Sequence, residues 1–134
     1  MSGPMNIFDI SGRAMSAQLT RLNTTASNLA NARTVYSSAE EAYRSLKPVF
    51  KTSVDRPGVA TVDVTEIVQS NTEPVKKYEP NNPIANEEGY VWGAGVDEAT
   101  ELIDMLETSR QYQNNVQVLQ TAKSLILETI RIAK

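Results

Sequence analysis

The sequence contains no cysteine and no histidine. Without cysteine there are no disulfide bonds, thiol nucleophiles or thiolate metal sites, and without histidine the most common general base and metal ligand is missing. Aromatic residues make up only 6% of the chain, so we expect few large side chains in the core. No run of about 18 apolar residues occurs, and the first residues lack the basic start and apolar run of a secretory signal. We therefore expect no membrane insertion and no cleavable signal.

The charge balance does not favour binding to phosphate. The 134 residues include 13 Lys and Arg against 16 Asp and Glu, a formal net charge of -3. A negative chain is repelled by nucleic acid and by anionic lipid, so we predict no nucleic-acid partner. The length allows one small domain, and 40% hydrophobic residues are typical of a soluble folded chain.

Residues 5–34 predict an N-terminal helix with one apolar seam. Apolar residues recur there mostly at steps of three and four, as in a helix that packs along one stripe. The seam residues are Phe8, Met15, Leu19, Leu22, Ala26 and Leu29. From Ala14 to Ala32 the only charged residue is Arg21, and Asn, Ser and Thr fill the other faces. These residues lower helix propensity, so we expect a helix that is marginal alone and packed on several sides; the alternative is a poorly optimised surface helix.

Residues 96–134 predict a second, longer helix. Its seam also repeats at steps of three and four and is formed by Leu102, Met105, Ser109, Tyr112, Val116, Leu119, Ala122, Ile126 and Ile130. Asp97 is a predicted N-cap, and Arg131 and Lys134 suit the last turn. Asp97, Glu101 and Asp104 are predicted to form a solvated acidic face. Further apolar residues widen the stripe, so this helix should contact more than one neighbour.

Between the helices, residues 35–95 have the character of strands and turns. Five of the six prolines lie there. Residues 49–54 and 59–68 are β-branched and predict a β-hairpin with its turn at residues 55–58, and residues 75–78 and 90–92 predict short strands. Residues 93–95, Gly-Ala-Gly, predict a loose joint before the second helix. The predicted fold is therefore mainly α with a small β-rich insert, its terminal helices pairing as a coiled coil.

No arrangement of residues supports catalysis. There is no Gly-x-Ser-x-Gly, no Ser followed three residues later by Lys, and no calcium-loop spacing between residues 81 and 89. We expect no enzyme activity, no catalytic, cofactor-binding or metal-ligating residues and no small-molecule substrate. Three classes stay open: an assembling structural subunit, a soluble helical chaperone or adaptor, and, least supported, an enzyme.

The two ends of the chain resemble the bacterial flagellar rod and hook axial proteins. The resemblance rests on residues 6–12 (NIFDISG) and 26–32 (ASNLANA) and continues through residues 78–83, 89–91 and 109–116. The downstream motif positions are Tyr78, Pro80, Pro83, Gly89, Tyr90, Ser109 and Arg110. The length suits the small proximal rod proteins rather than the longer distal rod or hook proteins.

This resemblance implies a structural subunit of the flagellar basal-body rod, the periplasm-spanning shaft that transmits motor torque and encloses the export channel. It implies export by the flagellar type III apparatus, and partners that include itself, other proximal and distal rod proteins, and components of the inner-membrane ring and export gate. The terminal helices would form the axial core, with the β-rich domain further out. The seam residues above then become assembly positions, and we predict lateral polar contacts for Asn28 and Asn31. A helical export chaperone or adaptor for a flagellar client is the alternative.

Overall fold

The computed structural model describes residues 4–133 and consists of two helices that enclose five strands in sequence. Helix α1 spans Pro4–Asn31 and helix α2 spans Glu98–Ala133. At a rise of 1.5 Å per residue they are about 42 and 54 Å long. The predicted order of two terminal helices around a β-rich middle region is confirmed.

Helix α2 begins where its sequence predicts. The Asp97 carboxylate accepts hydrogen bonds from the backbone N–H groups of Ala99 (3.2 Å) and Thr100 (3.5 Å), which is the bonding of an N-cap. Two acidic residues in the first turn and Arg131 in the last turn complement the helix dipole. Lys134, also predicted for the last turn, lies outside the described residues.

The long β-hairpin is also confirmed. Strand β2 (Leu46–Arg56) pairs antiparallel with β3 (Val59–Gln69). The turn consists of Pro57 and Gly58, and Gly58 has φ 82°. Proline followed by glycine at positive φ is the combination that a type II turn requires.

A second sheet has three short antiparallel strands in the order β1-β5-β4. Strands β4 (Val75–Tyr78) and β5 (Tyr90–Gly93) match the predicted ones. Strand β1 (Val35–Tyr36) was not predicted, because two residues are too few to show an alternating pattern.

Helix α1 packs against α2 and both hairpin strands. The two helices run antiparallel, because Asn28 near the end of α1 bonds Glu101 near the start of α2, whereas Ile7 lines a cavity with Ile126. The hairpin lies along α1, with its base at Asn28 and its tip at Arg13.

Candidate assembly surfaces and the polar junction

A polar junction joins α1, α2 and the base of the hairpin; it comprises Asn28, Tyr43, Lys47, Glu101 and Asp104. Asn28 is 0% exposed. Its Nδ2 donates to the Leu46 carbonyl (2.9 Å) and to Glu101 Oε2 (3.1 Å). Its Oδ1 accepts from the Leu46 N–H and from the Tyr43 hydroxyl, both at 2.8 Å. Both donors and both acceptor positions of the amide are thus used within the chain.

This placement corrects the lateral role predicted for Asn28. A side chain that is fully buried and fully hydrogen-bonded has nothing to offer a neighbouring molecule. Asn31 is half-buried and donates to the carbonyl of Ser27 at 2.8 Å, one turn earlier in the helix. The structure therefore assigns Asn28 to internal bonding and leaves Asn31 at the surface.

The burial of Glu101 is the largest departure from the predicted solvated acidic face. It is 2% exposed, and its Oε1 accepts from Lys47 Nζ at 2.6 Å. The prediction for Glu101 is wrong because Asn28 of α1 and Lys47 at the base of the hairpin bind its two carboxylate oxygens. Lys47 also bonds Asp104 at 3.2 Å, and Asp104 accepts from Arg21 of α1 at 3.4 Å. These four charges form one network across three elements.

Because of this network, the free energy of unfolding should change with pH in the alkaline range. Burial lowers the pKa of Lys47, but hydrogen bonds and charges from Glu101 and Asp104 outweigh burial and raise it above the ordinary 10.5. A raised pKa contributes stability that is complete below pH 10.5 and is lost as the pH rises through the folded-state value. We expect the stability difference between the chain and Lys47→Met to shrink above that pH in urea titrations. A difference that stays constant would contradict this linkage.

The joint between β5 and α2 is closed rather than loose, which corrects the expectation for residues 93–95. All three residues are buried. The Gly95 N–H donates to the Tyr43 carbonyl at 2.7 Å, and the Gly95 carbonyl accepts from the Ser45 N–H at 3.1 Å. These two backbone hydrogen bonds join Gly95 to the segment that leads to the polar junction. They remove the conformational freedom that glycine would otherwise have there.

Gly95 offers a direct test of that closed joint. A Cβ at Gly95 would lie 2.4 Å from the Thr72 carbonyl oxygen, so the backbone of one segment must shift. We expect Gly95→Ala to lower the free energy of unfolding by about 1–3 kcal/mol, the usual cost of overpacking. Gly12 in α1, where an added Cβ would meet nothing within 4 Å, is the matched control. Gly12→Ala should stabilise the helix by up to about 1 kcal/mol, and equal urea midpoints for the two variants would contradict the closed joint.

The buried residues of the two helices are small or polar rather than large and apolar. They are Ser11, Ala17, Thr24, Thr25 and Asn28 in α1, and Glu101, Thr108 and Ala122 in α2. The predicted seam of α1 lies beside this line: Phe8, Met15, Leu22 and Leu29 are half-buried, and Leu19 is 44% exposed. In α2, Met105, Tyr112, Val116, Leu119 and Ile126 are half-buried, whereas Leu102 is 51% exposed. Within one chain the predicted seam is therefore only partly covered.

An apolar cavity lies where the start of α1 meets the end of α2. Its volume is about 270 Å³, and its lining is formed by Ile7, Ala122, Leu125, Ile126, Thr129 and Ile130. A neighbouring depression shares Ile7 and Leu125 and adds Val118. None of the residues that line these two depressions is charged.

The motif positions of the middle region cluster in space. The rings of Tyr78 and Tyr90 meet edge to face at 5.2 Å. Gly89, at φ 85°, lies so close that a Cβ would be 3.0 Å from Tyr78 and 3.1 Å from Pro80. Pro83 is exposed in the same loop, whereas Ser109 and Arg110 lie apart on α2. These positions thus build a local turn, and Asn86 closes it by accepting from the Tyr90 N–H at 2.9 Å.

Two long-range contacts were not predicted from the sequence. Arg13 of α1 binds the tip of the hairpin through Asp55 (2.9 Å), Asp63 (3.4 Å) and the Thr61 hydroxyl (3.1 Å). Gln18 Nε2 of α1 donates to Gln111 Oε1 of α2 at 2.8 Å. The members of each contact are far apart in sequence, so no local pattern signals it.

Residues 4–133 contain no cluster of three or more acidic side chains arranged to hold a metal ion. In the same part of the chain, neither helix combines the length and hydropathy that crossing a bilayer requires.

The sequence is similar to flagellar proteins over almost its whole length. Residues 8–35 match the family described as flagella basal body rod protein, and residues 87–132 match the C-terminal family of flagellar basal body rod FlgEFG proteins. The flagellar basal-body rod proteins FlgC of Escherichia coli O157:H7 and of Salmonella typhimurium are each 42% identical over 132 residues, covering 97% of this chain and 98% of those proteins. FlgC of Yersinia enterocolitica is 41% identical with the same coverage.

Proposed function

Since the chain belongs to the FlgC family of flagellar basal-body rod proteins and is a structural rod subunit, we propose that it polymerises, through its terminal helices, with copies of itself and with other rod proteins. We place it in the proximal part of the periplasm-spanning rod, next to the inner-membrane ring and export gate. The rod then transmits motor torque and encloses the export channel. We further propose that the chain reaches this position through the flagellar type III apparatus without a cleavable signal.

The observation that carries this proposal is the apolar surface of α2. Eight of its large apolar side chains are 46–86% exposed, and they are Leu102, Ile103, Leu106, Val118, Leu125, Leu127, Ile130 and Ile132. Exposed apolar surface on this scale marks a protein interface. Within the chain, the small and polar buried residues let α1 and α2 approach, while these eight large apolar side chains stay largely exposed.

Helix α1 supports the same interpretation. Its exposed residues include a stripe at steps of four and three that carries no charge: Gly12, Ser16, Leu19, Asn23, Ala26 and Ala30. A helix face in water is usually rich in Glu and Lys, whereas short uncharged side chains allow another helix to come close. We propose coiled-coil packing of the helix seams between subunits, with Asn31 as a lateral polar contact.

The domain arrangement follows from this proposal. Residues 5–34 and 96–134 form the axial core, and the β-rich domain of residues 35–95 lies further from the axis. The polar junction and the closed joint at residues 93–95 support a fixed orientation of that domain on the helix pair.

An in-frame deletion tests the proposed function. We expect the deletion strain to be non-motile, to lack hooks and to regain both when the intact chain is supplied. Particles isolated from the deletion strain should contain the inner-membrane ring without a rod. Normal rods and hooks in the deletion strain would contradict the proposal.

A further inference from the structure

The base half of strand β3 is an uncovered sheet edge, which we name the β3 edge (residues 65–69). All five residues are exposed, and β2 is their only partner strand among residues 4–133. Ile67 lies opposite Pro48, which has no N–H to donate, and the Ser70 N–H donates to the Ser45 carbonyl at 2.8 Å. By the alternation of an antiparallel ladder, the N–H and C=O of Ile67 therefore point away from β2.

Strand β4 presents a second free edge, the β4 edge. Its four residues are exposed, and only β5 pairs with it in the described part of the chain. Tyr78 lies opposite Tyr90, whose N–H and C=O bond Asn86 rather than β4. Tyr78 and Tyr90 are therefore a non-hydrogen-bonded pair, and alternation turns the N–H and C=O of Tyr78 and Lys76 away from β5.

The lysines of β4 do not shield this edge. Lysine on a short edge strand often blocks pairing with another chain. Here Lys76 Nζ lies 4.1 Å from the ring centre of Tyr90 and 5.6 Å from that of Trp92. On the opposite face, Lys77 Cε lies 3.5 Å from the position that a Cβ on Gly93 would take. Both lysine side chains thus lie across their own sheet and leave the backbone of the β4 edge open.

One antiparallel register gives the two edges complementary side chains. Its cross-strand pairs are Glu66–Lys77, Ile67–Lys76 and Val68–Val75. The first and third pairs share one face, because alternate residues of a strand lie on the same side. Val68 and Val75 are 38% and 56% exposed. Neither Glu66 nor Lys77 has an ion-pair partner among residues 4–133, so this register brings together two apolar side chains and two unpaired opposite charges.

The same register matches the directions of the free backbone groups. Ile67 and Lys76 both point their N–H and C=O outward, so they become a hydrogen-bonded pair. The residues of the other two pairs already bond β2 or β5 and need no further partner. A shift of one residue would place outward groups opposite inward ones and lose these bonds.

The two edges do not meet within one chain. Strands β3 and β4 make no contact among residues 4–133. The segment between them is held elsewhere, since Ser70 bonds Ser45 and the Thr72 carbonyl packs against Gly95 of the closed joint. Each edge is thus left for another molecule.

We propose that the β3 edge of one copy pairs antiparallel with the β4 edge of the next copy, which joins their sheets. This inference rests on the proposed function and deepens it by naming the two segments of one subunit contact. Main-chain hydrogen bonds hold such a contact, and side-chain pairs fix its register. Because the two edges differ, the contact is heterologous and leaves one free edge at each end, as an open polymer requires.

The absence of cysteine from the chain makes disulfide cross-linking a specific test. Val68 and Val75 would form a non-hydrogen-bonded pair with Cα atoms about 4.5 Å apart, which a disulfide can span. In a strain that carries Val68→Cys and Val75→Cys on separate copies, mild oxidation of isolated basal bodies should yield disulfide-linked dimers. Glu66→Cys with Lys77→Cys tests the second such pair and should also yield dimers.

Two controls accompany this experiment. A strain with either variant alone should yield monomers, because each contact then holds one thiol. Val68→Cys with Lys76→Cys is the matched pair, since Lys76 neighbours Val75 but lies on the opposite face of β4, and it should yield almost no dimer.

Four outcomes overturn the inference. Dimers from one variant alone would show a contact between equal edges, and equal cross-linking of the matched pair would show that no defined register exists. Monomers alone from both test pairs would show that the edges do not meet. An internal disulfide in the double variant Val68→Cys/Val75→Cys would show that they pair within one chain. Failure of the proposed function has a different signature, because the unsubstituted chain would then be missing from the basal bodies.

Discussion

Replacing Lys47 with Met should lower the free energy of unfolding by about 3 kcal/mol, because it leaves the Glu101 carboxylate buried without its cation. Removing one partner of a buried ion pair typically costs about 3–5 kcal/mol. The lower end applies here, since Glu101 has 3% side-chain exposure but Lys47 has 37%. Urea unfolding of the purified chain measures the effect directly.

A double variant and a surface control show whether the lost stability comes from the unpaired Glu101 carboxylate. Lys47→Met/Glu101→Met removes both charges and should restore part of the lost stability, because no unpaired charge stays buried, although Asn28 Nδ2 loses its acceptor Glu101 Oε2. The matched control is Arg33→Ala, which breaks the exposed pair between Arg33 and Glu98 (side-chain exposures 86% and 44%). Exposed pairs contribute about 0–1 kcal/mol, so an equal loss in the control would contradict the special role of the polar junction.

A charge introduced into either helix seam should abolish motility. Leu22 and Val116 are half-buried in one chain, and the proposed contacts would bury the rest of each side chain. Leu22→Asp or Val116→Asp would then bury an unpaired carboxylate, which costs several kcal/mol at every subunit contact. We expect no swarming in soft agar and no incorporation of the variants into basal bodies.

Conservative substitutions and urea unfolding distinguish a defect in assembly from a defect in the folding of the single chain. Leu22→Met and Val116→Ile keep the seams apolar and should preserve motility. Urea unfolding of the purified Asp variants shows how much of the loss arises in the single chain. Normal motility with either Asp variant would rule out its position as part of an assembly seam.

Local patterns were sufficient to predict both helices, the long hairpin and strands β4 and β5. The helices follow from apolar steps of three and four, the start of α2 follows from Asp97, and the long hairpin follows from two β-branched segments around Pro57 and Gly58. Each of these signals lies within a few residues of the structure it specifies. The two-residue strand β1 gave no such signal.

The polar junction could not be predicted, because its partners are far apart in sequence. Asn28 and Glu101 are separated by 73 residues, and Lys47 and Glu101 by 54. The acidic start of α2 is typical of a solvated, dipole-stabilising first turn, and only the tertiary fold shows that Glu101 is covered. Periodicity likewise predicted the apolar seams, but it does not reveal whether a stripe contacts its own chain or another one.

The polar junction and the exposed seams have complementary roles in this account. The junction joins the hairpin to the helix pair, and the apolar surface of α2 stays exposed for the proposed contacts with neighbouring subunits. Hydrogen bonds and ion pairs thus specify the fold of the subunit, whereas burial of apolar surface would drive the proposed polymerisation.

The proposed place of this chain in the proximal rod can be tested by quantitative mass spectrometry of purified hook-basal bodies. Peptides from residues 59–76 should be present at a small fraction of the hook-protein signal, because a proximal rod protein occupies a short segment of a structure that the hook extends far beyond. Particles that lack these peptides, with the chain abundant in the cytosol, would contradict the account and favour a soluble adaptor or chaperone.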